Sequence, residues 1–163
     1  MQNKSPLRYP GGKTRACKKL DNILNENFNM DKFDTILSPF IGGGSFEFFI
    51  QNKYNYKIIA NDKFIPLFTF WTICKNNNTE LCKILKNFLT KVTKDMFTQM
   101  RNIIIDEKKT LMQAVYYFII NRCSFSGATL SGGFSQESSE KRFTVFDTLW
   151  MSPDQNSTSY WIQ

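Results

Sequence analysis

The 163 residues contain no histidine. That excludes Ser-His-Asp and Cys-His catalysis, His-ligated zinc, haem on a histidine ligand and any imidazole base. Cys17, Cys74, Cys82 and Cys123 form no C-x-x-C pair. Neither a zinc ribbon nor a disulfide framework is therefore expected, and free buried thiols in a reducing compartment are. Long apolar runs are missing as well. The longest, Leu111 to Ile120, is broken by Gln113 and is too short to span a bilayer. Met1-Gln2-Asn3-Lys4 leads directly into proline and glycine, without a signal-peptide core. These absences point to a soluble intracellular protein with no metal and no membrane partner.

What is present suits one folded domain. A 19.1 kDa chain can bury roughly two-thirds of its unfolded surface. Its 42% hydrophobic content includes 16 Phe, 6 Tyr and 3 Trp, which compensate for scarce small aliphatics. The 21 Lys+Arg against 14 Asp+Glu give a net charge of +7 and a pI near 9.3. Such a balance serves solubility or a polyanionic partner. Lys4, Arg8, Lys13, Arg15, Lys18 and Lys19 all precede the first acid, Asp21. Interleaved with Pro-Gly-Gly, they read as a cationic turn and helix start rather than a disordered basic tail.

No internal repeat is visible. Residues 5–13 form a turn-rich entry, and Thr14 to Leu24 predicts a helix with Ala16, Leu20, Ile23 and Leu24 on one face. Phe33 to Leu37 reads as a buried strand, residues 42–44 as a glycine loop, and Ser45 to Gln51 as a helix. Tyr56 to Ala60 is a second strand. Residues 66–76, 79–90, 94–105 and 110–121 are helical in pattern, and from Ser124 onward loop or short hairpin takes over, with an apolar stretch at Val145 to Met151 that fits a strand.

Strand, glycine loop, helix and strand between 33 and 62 make a βαβ unit. Its glycines permit close backbone approach, and the helix that follows offers unpaired N–H groups. Asp62 follows Gly42 by 20 residues and ends the second strand, where such folds place a carboxylate on ribose hydroxyls. The G-x-G-x-x-G pattern is not met. Gly42-Gly43-Gly44 suits a nucleoside cofactor without phosphates better than a dinucleotide.

Four motifs then resemble, in order, those of the Dam-type (alpha-class) DNA adenine-N6 methyltransferases, phage- and virus-like members especially. They are Tyr9-Pro10-Gly11-Gly12-Lys13, Pro39-Phe40-Ile41-Gly42-Gly43-Gly44-Ser45, Ala60-Asn61-Asp62, and Asn121 to Gly127 with Gly132-Gly133-Phe134-Ser135. The resemblance covers residues 5–150. It implies an α/β, Rossmann-like methyltransferase fold whose sheet is incomplete here, joined to a helical and loop target-recognition region. Residues 1–78 would be the cofactor-binding part, 79–150 the helical and recognition part, and 151–163 a polar tail. The implied cofactor is S-adenosylmethionine and the implied partner double-stranded DNA. Lys13 and Tyr9 would contact the cofactor, Phe40, Gly42 and Gly44 would shape its loop, and Asp62 would take the ribose. Arg8, Arg122, Phe125 and Ser126 would face DNA. Other readings of the same residues stay open: a capped helix for Lys13, a core ring for Phe40, and a cation at a helix C-terminus for Arg122.

Two departures stand out. The family usually carries an acid just before the Pro-Phe of its glycine loop, and Ser38 occupies that position, so one cofactor contact is weakened or replaced. The Asp-Pro-Pro-Tyr tetrapeptide, which in the family holds the flipped adenine amino group, does not occur. Ser152-Pro153-Asp154-Gln155 matches only its first two positions, leaving Ser152 and Pro153 as weak catalytic candidates. A truncated product, an enzyme completed by a second chain, or a repurposed domain would each fit. The expected function is thus adenine-N6 methylation of DNA, in a cell or an infected host cell. The alternative is a catalytically inactive DNA-binding or structural subunit.

Overall fold

The computed structural model describes residues 5–143. Lys4, the Val145–Met151 stretch, Ser152, Pro153 and the tail lie outside the described residues. The chain opens with an irregular strap, residues 5–16, and enters α1 (Cys17–Asn27). After a short 3-10 turn at Met30–Lys32 come β1 (Thr35–Ser38), α2 (Ser45–Tyr54) and β2 (Lys57–Ala60). Helices α3 (Ile65–Asn76), α4 (Asn78–Lys86), α5 (Lys94–Ile103), α6 (Thr110–Cys123) and α7 (Gln136–Lys141) complete it.

β1 and β2 pair in parallel, Thr35 with Lys57 through Ser38 with Ala60. A parallel pair needs a crossover, and α2 supplies it. The sheet's inner face carries Ile36, Ser38, Ile58 and Ala60. Its outer face leaves Leu37 72% and Ile59 37% exposed. The protein is therefore mixed α/β, and the βαβ unit read from the sequence is present.

α6 is the axis of the core. Ala114, Val115, Phe118, Ile119, Ile120 and Cys123 on it are fully buried, packed chiefly against α3 and also against α4, α5 and α7. Phe70 of α3 stacks on Phe118 at 5.6 Å between centroids, and Trp71 meets Phe48 of α2 edge-on at 5.3 Å. The aromatic set thus ties the helical layer to the βαβ unit.

The predicted elements differ from the structure in detail. α1 starts three residues late, because Lys13 to Ala16 close a turn through Ala16 N–H to Lys13 O at 2.8 Å. Its inner side carries Cys17 and Asp21, while Ile23 is 45% exposed. Asp21 is tolerated because its carboxylate receives Lys53 Nζ at 2.5 Å and the Tyr54 hydroxyl at 2.7 Å. β1 begins at Thr35, leaving Phe33 exposed. α7, inside the stretch expected as loop, forms because the Ser135 side chain accepts Ser138 N–H at 3.2 Å as its N-cap.

Candidate functional site

The glycine loop is fastened from several sides. Gly42 (φ +51°) and Gly44 (φ +68°) lie in the left-handed region, and Gly44 caps α2. Asp62 Oδ2 accepts Gly42 N–H at 2.9 Å, while Trp71 Nε1 donates to Gly42 O at 3.0 Å. Ile41 N–H reaches Asn61 O at 3.0 Å, extending the strand pairing into the loop. The Tyr9 ring lies over the loop. A Cβ at Gly42 would sit 2.9 Å from Tyr9 Cε1, and one at Gly43 2.7 Å from Tyr9 Cβ. Glycine is required here by a neighbouring side chain as much as by φ.

Asp62 serves as a bracket. Its second oxygen, Oδ1, accepts Phe64 N–H at 3.0 Å, so one carboxylate fixes both the glycine loop and the entry to α3. Tyr9, Pro10, Phe64, Tyr117 and the 127–131 loop line an open cleft of about 340 Å³ close to it. Burial, then the Asp62 charge, raises the Tyr9 phenol above its ordinary value. Burial, then Tyr9 and Asp62, does the same to Tyr117. Both phenols remain neutral hydrogen-bonding groups beside a single carboxylate.

Lys13 leaves the same strap but is not part of a helix. Its Nζ donates to Gly11 O at 2.7 Å in an exposed position. Phe40 is 79% exposed, which removes the core-ring reading. The structure thus gathers Tyr9, Gly42, Gly44 and Asp62, holds Lys13 on the adjoining turn, and leaves Phe40 open to solvent at the loop's start.

The other residues singled out lie where α6 ends. The Asn121 side chain pairs with the strap as a strand would, accepting Arg8 N–H at 3.0 Å and donating to Arg8 O at 2.7 Å. The Arg8 guanidinium donates to Ser124 O and Ser138 Oγ, both at 3.2 Å. Arg122 Nη2 and Nε reach Arg142 O at 2.5 and 3.1 Å, and Nη1 reaches Pro6 O at 3.2 Å. Both guanidiniums therefore clasp backbone carbonyls of other segments. Burial, then Arg142 and Arg122, lowers the Arg8 pKa, which places three arginines in one cluster. Phe125 is 72% exposed on a 3-10 turn, Phe125–Gly127, in which Ser126 has φ +55°. A bridge between Ser124 and Phe134 closes this segment into a hairpin, and Arg101 Nη1 holds its Gly132 O at 3.0 Å.

All four cysteines are free. Burial pushes the Cys82 and Cys123 thiols up to about 11, which keeps them protonated and poor as nucleophiles or metal ligands. Among the described residues no cluster of potential metal ligands occurs, and no helix is long and apolar enough to cross a membrane.

Sequence reasoning gave no role to Trp71, Tyr117, Asn121 or Glu47. An indole in an apolar helix and an amide at a helix end each signal a polar group needing a partner. The partners lie 29 and 113 residues away, beyond any local pattern.

This strap, glycine loop and acid are matched by a family model of known chemistry. Residues 9–145 fit the D12 class N6 adenine-specific DNA methyltransferase family, and the chain belongs to it. The Type II methyltransferase M.MjaIII of Methanocaldococcus jannaschii is 26% identical over 143 residues, covering 78% of this chain and 48% of that protein. The chain spans about half the length of the curated relative it matches.

Proposed function

We propose that the chain is the cofactor-binding and target-recognition part of an S-adenosylmethionine-dependent adenine-N6 DNA methyltransferase, its two strands belonging to a Rossmann-like sheet. The observation that carries this reading is Asp62. It stands at the end of β2 close to the cleft with one lone pair per oxygen committed to backbone N–H groups, which leaves one per oxygen for the two ribose hydroxyls. Family membership favours an enzyme over an inactive relic.

The donor set suits the cofactor. Aromatic rings of Tyr9, Phe64 and Tyr117 offer faces for a purine and a sulfonium. Gly42 and Gly44 keep the loop backbone low, with Phe40 at its start, and Lys13 offers a cation to the methionine carboxylate after releasing Gly11 O. When bound, S-adenosylmethionine supplies an electrophilic methyl group. This chain's residues orient it and exclude water around it. Arg8, Arg122, Phe125 and Ser126 form the DNA side: a cationic cluster with an exposed ring at the hairpin tip. Residues 1–78 serve mainly the cofactor and 79–150 mainly the target, with Tyr117 and the 127–131 loop completing the cofactor side and Arg8 the DNA side, and 151–163 are assigned to the tail.

Binding the cofactor does not itself lower the barrier. The adenine amine must be held in line with the sulfonium, and such positioning is worth several kcal/mol. Residues 1–163 alone are expected to methylate a mixed-sequence duplex at near-background rate, and a second chain carrying an Asp-Pro-Pro-Tyr tetrapeptide and further strands to restore it. Tritiated S-adenosylmethionine measures this. Robust methylation that survives Ser152→Ala and Pro153→Ala would place the chemistry elsewhere in this chain. For the cofactor site, calorimetry should show Asp62→Ala weakening S-adenosylhomocysteine binding by about 10-fold or more. Equal heats from variant and wild type would remove the assignment.

A further inference from the structure

Resting on that cofactor reading, we propose that Glu47 is the anion for the protonated α-amino group at the cofactor's methionine end. A carboxylate stands near the end of each strand of the βαβ unit. After β2 it is Asp62, already tied to two backbone N–H groups. At the end of β1 the residue is Ser38, buried and uncharged, and its hydroxyl donates to Glu47 Oε1 at 2.6 Å. The charge missing from the strand is thus delivered to the same place from the helix.

Glu47 is the third residue of α2, a position from which glutamate ordinarily reaches back to cap its own helix. Here the Gly44 N–H is taken by Ile41 O at 2.8 Å, and the glutamate turns to Ser38 instead. Its other oxygen, Oε2, has no hydrogen-bond or ion-pair partner among the described residues. The half-buried carboxylate is therefore fixed in direction yet open to a cation. The strap that carries Lys13 crosses the same helix turn, with Thr14 Oγ1 on Ser45 Oγ at 3.1 Å and Cys17 Sγ at 3.6 Å from Ser45 O. Burial and then the Glu47 charge raise the Cys17 thiol at the start of α1. An amino-acid zwitterion needs a cation and an anion, and Lys13, on the strap that meets Ser45, supplies the first while Glu47 supplies the second.

Two ligands separate this role from loop shaping. S-adenosylhomocysteine has the amino-acid end, and 5′-methylthioadenosine has the nucleoside and thioether without it. Calorimetry on the full chain should show Glu47→Gln weakening the first by about 10-fold or more, as expected for a lost charge-assisted hydrogen bond, and the second by less than about 2-fold. Adding Ser38→Asp to Glu47→Gln returns a carboxylate to the strand end and should recover most of the loss. Equal losses on both ligands, or no loss on the first, would overturn the proposal while leaving the nucleoside site intact. Wild-type protein that binds neither ligand would overturn the cofactor reading itself, and Glu47 with it.

Discussion

Around α6, Val115, Phe118, Ile119 and Ile120 have no solvent exposure, whereas the outer face of the β1–β2 sheet shows Leu37 and Ile59 to water. Parallel strands are normally covered on both faces. The helical layer is a finished core, and the sheet layer is finished on one side only among the described residues. The candidate site sits on the seam. Its glycine loop is held by Trp71 from the helical layer and by Asp62 from the sheet. Both layers therefore fix the loop, and the helical layer also places the Tyr117 ring on the cleft.

That contrast can be broken most sharply by truncating one side chain in each layer. Phe118→Ala removes a ring stacked on Phe70 and should lower unfolding free energy by about 3–5 kcal/mol. Leu37→Ala should change it by no more than about 0.5 kcal/mol. Urea titration of both variants measures the difference, and comparable losses would mean that the outer sheet face is covered in solution.

A smaller effect separates binding from stability. Lys18 and Lys19 are exposed on α1, and Lys18→Glu with Lys19→Glu should weaken duplex DNA binding about 10-fold at low salt, for all sequences alike. The melting temperature should not move. Salt-independent affinity, or none at low salt, would reduce the positive charge to a solubility feature.

The smallest effect is a pH dependence confined to the sheet layer. Burial raises the Asp21 pKa, but hydrogen bonds from Lys53, Tyr54 and Asn25 outweigh it and hold the carboxyl below its ordinary value. A depressed carboxyl contributes stability above its unfolded pKa and loses it as pH falls through the folded one. Lys53 is raised, first by its bond to Asp21, so its contribution is complete below its unfolded pKa and fades only as pH rises past the folded value. Hydrogen exchange should show α1 loosening on acidification below about pH 4, the ordinary carboxylate range, while α6 stays protected. Asp21→Asn should flatten that response.

The parts of the molecule governed by local spacing were legible in the sequence. The βαβ unit, the Gly42–Asp62 separation and helices α3 to α6 follow from periodicity and punctuation. Where two distant segments share one polar group, reading failed. Asp21 was invisible as a buried residue because the Lys53 cation and the Tyr54 hydroxyl that satisfy it lie 32 and 33 residues away on α2. Arg122 reads equally as a helix-end cation or a phosphate contact. Its carbonyl acceptors, on Pro6 and Arg142, come from both ends of the described chain.

The Asn121 side chain has a consequence in time as well as space. It is the partner of the Arg8 peptide unit across 113 residues of chain. The strap meets the glycine loop through Tyr9 and α2 through Thr14, but its Arg8 peptide unit is satisfied only once the last turn of α6 is in place. Closing so long a loop is slow relative to local helix formation. The Arg8 end of the strap is therefore expected to settle late, in the same event that seats the hairpin carrying Phe125.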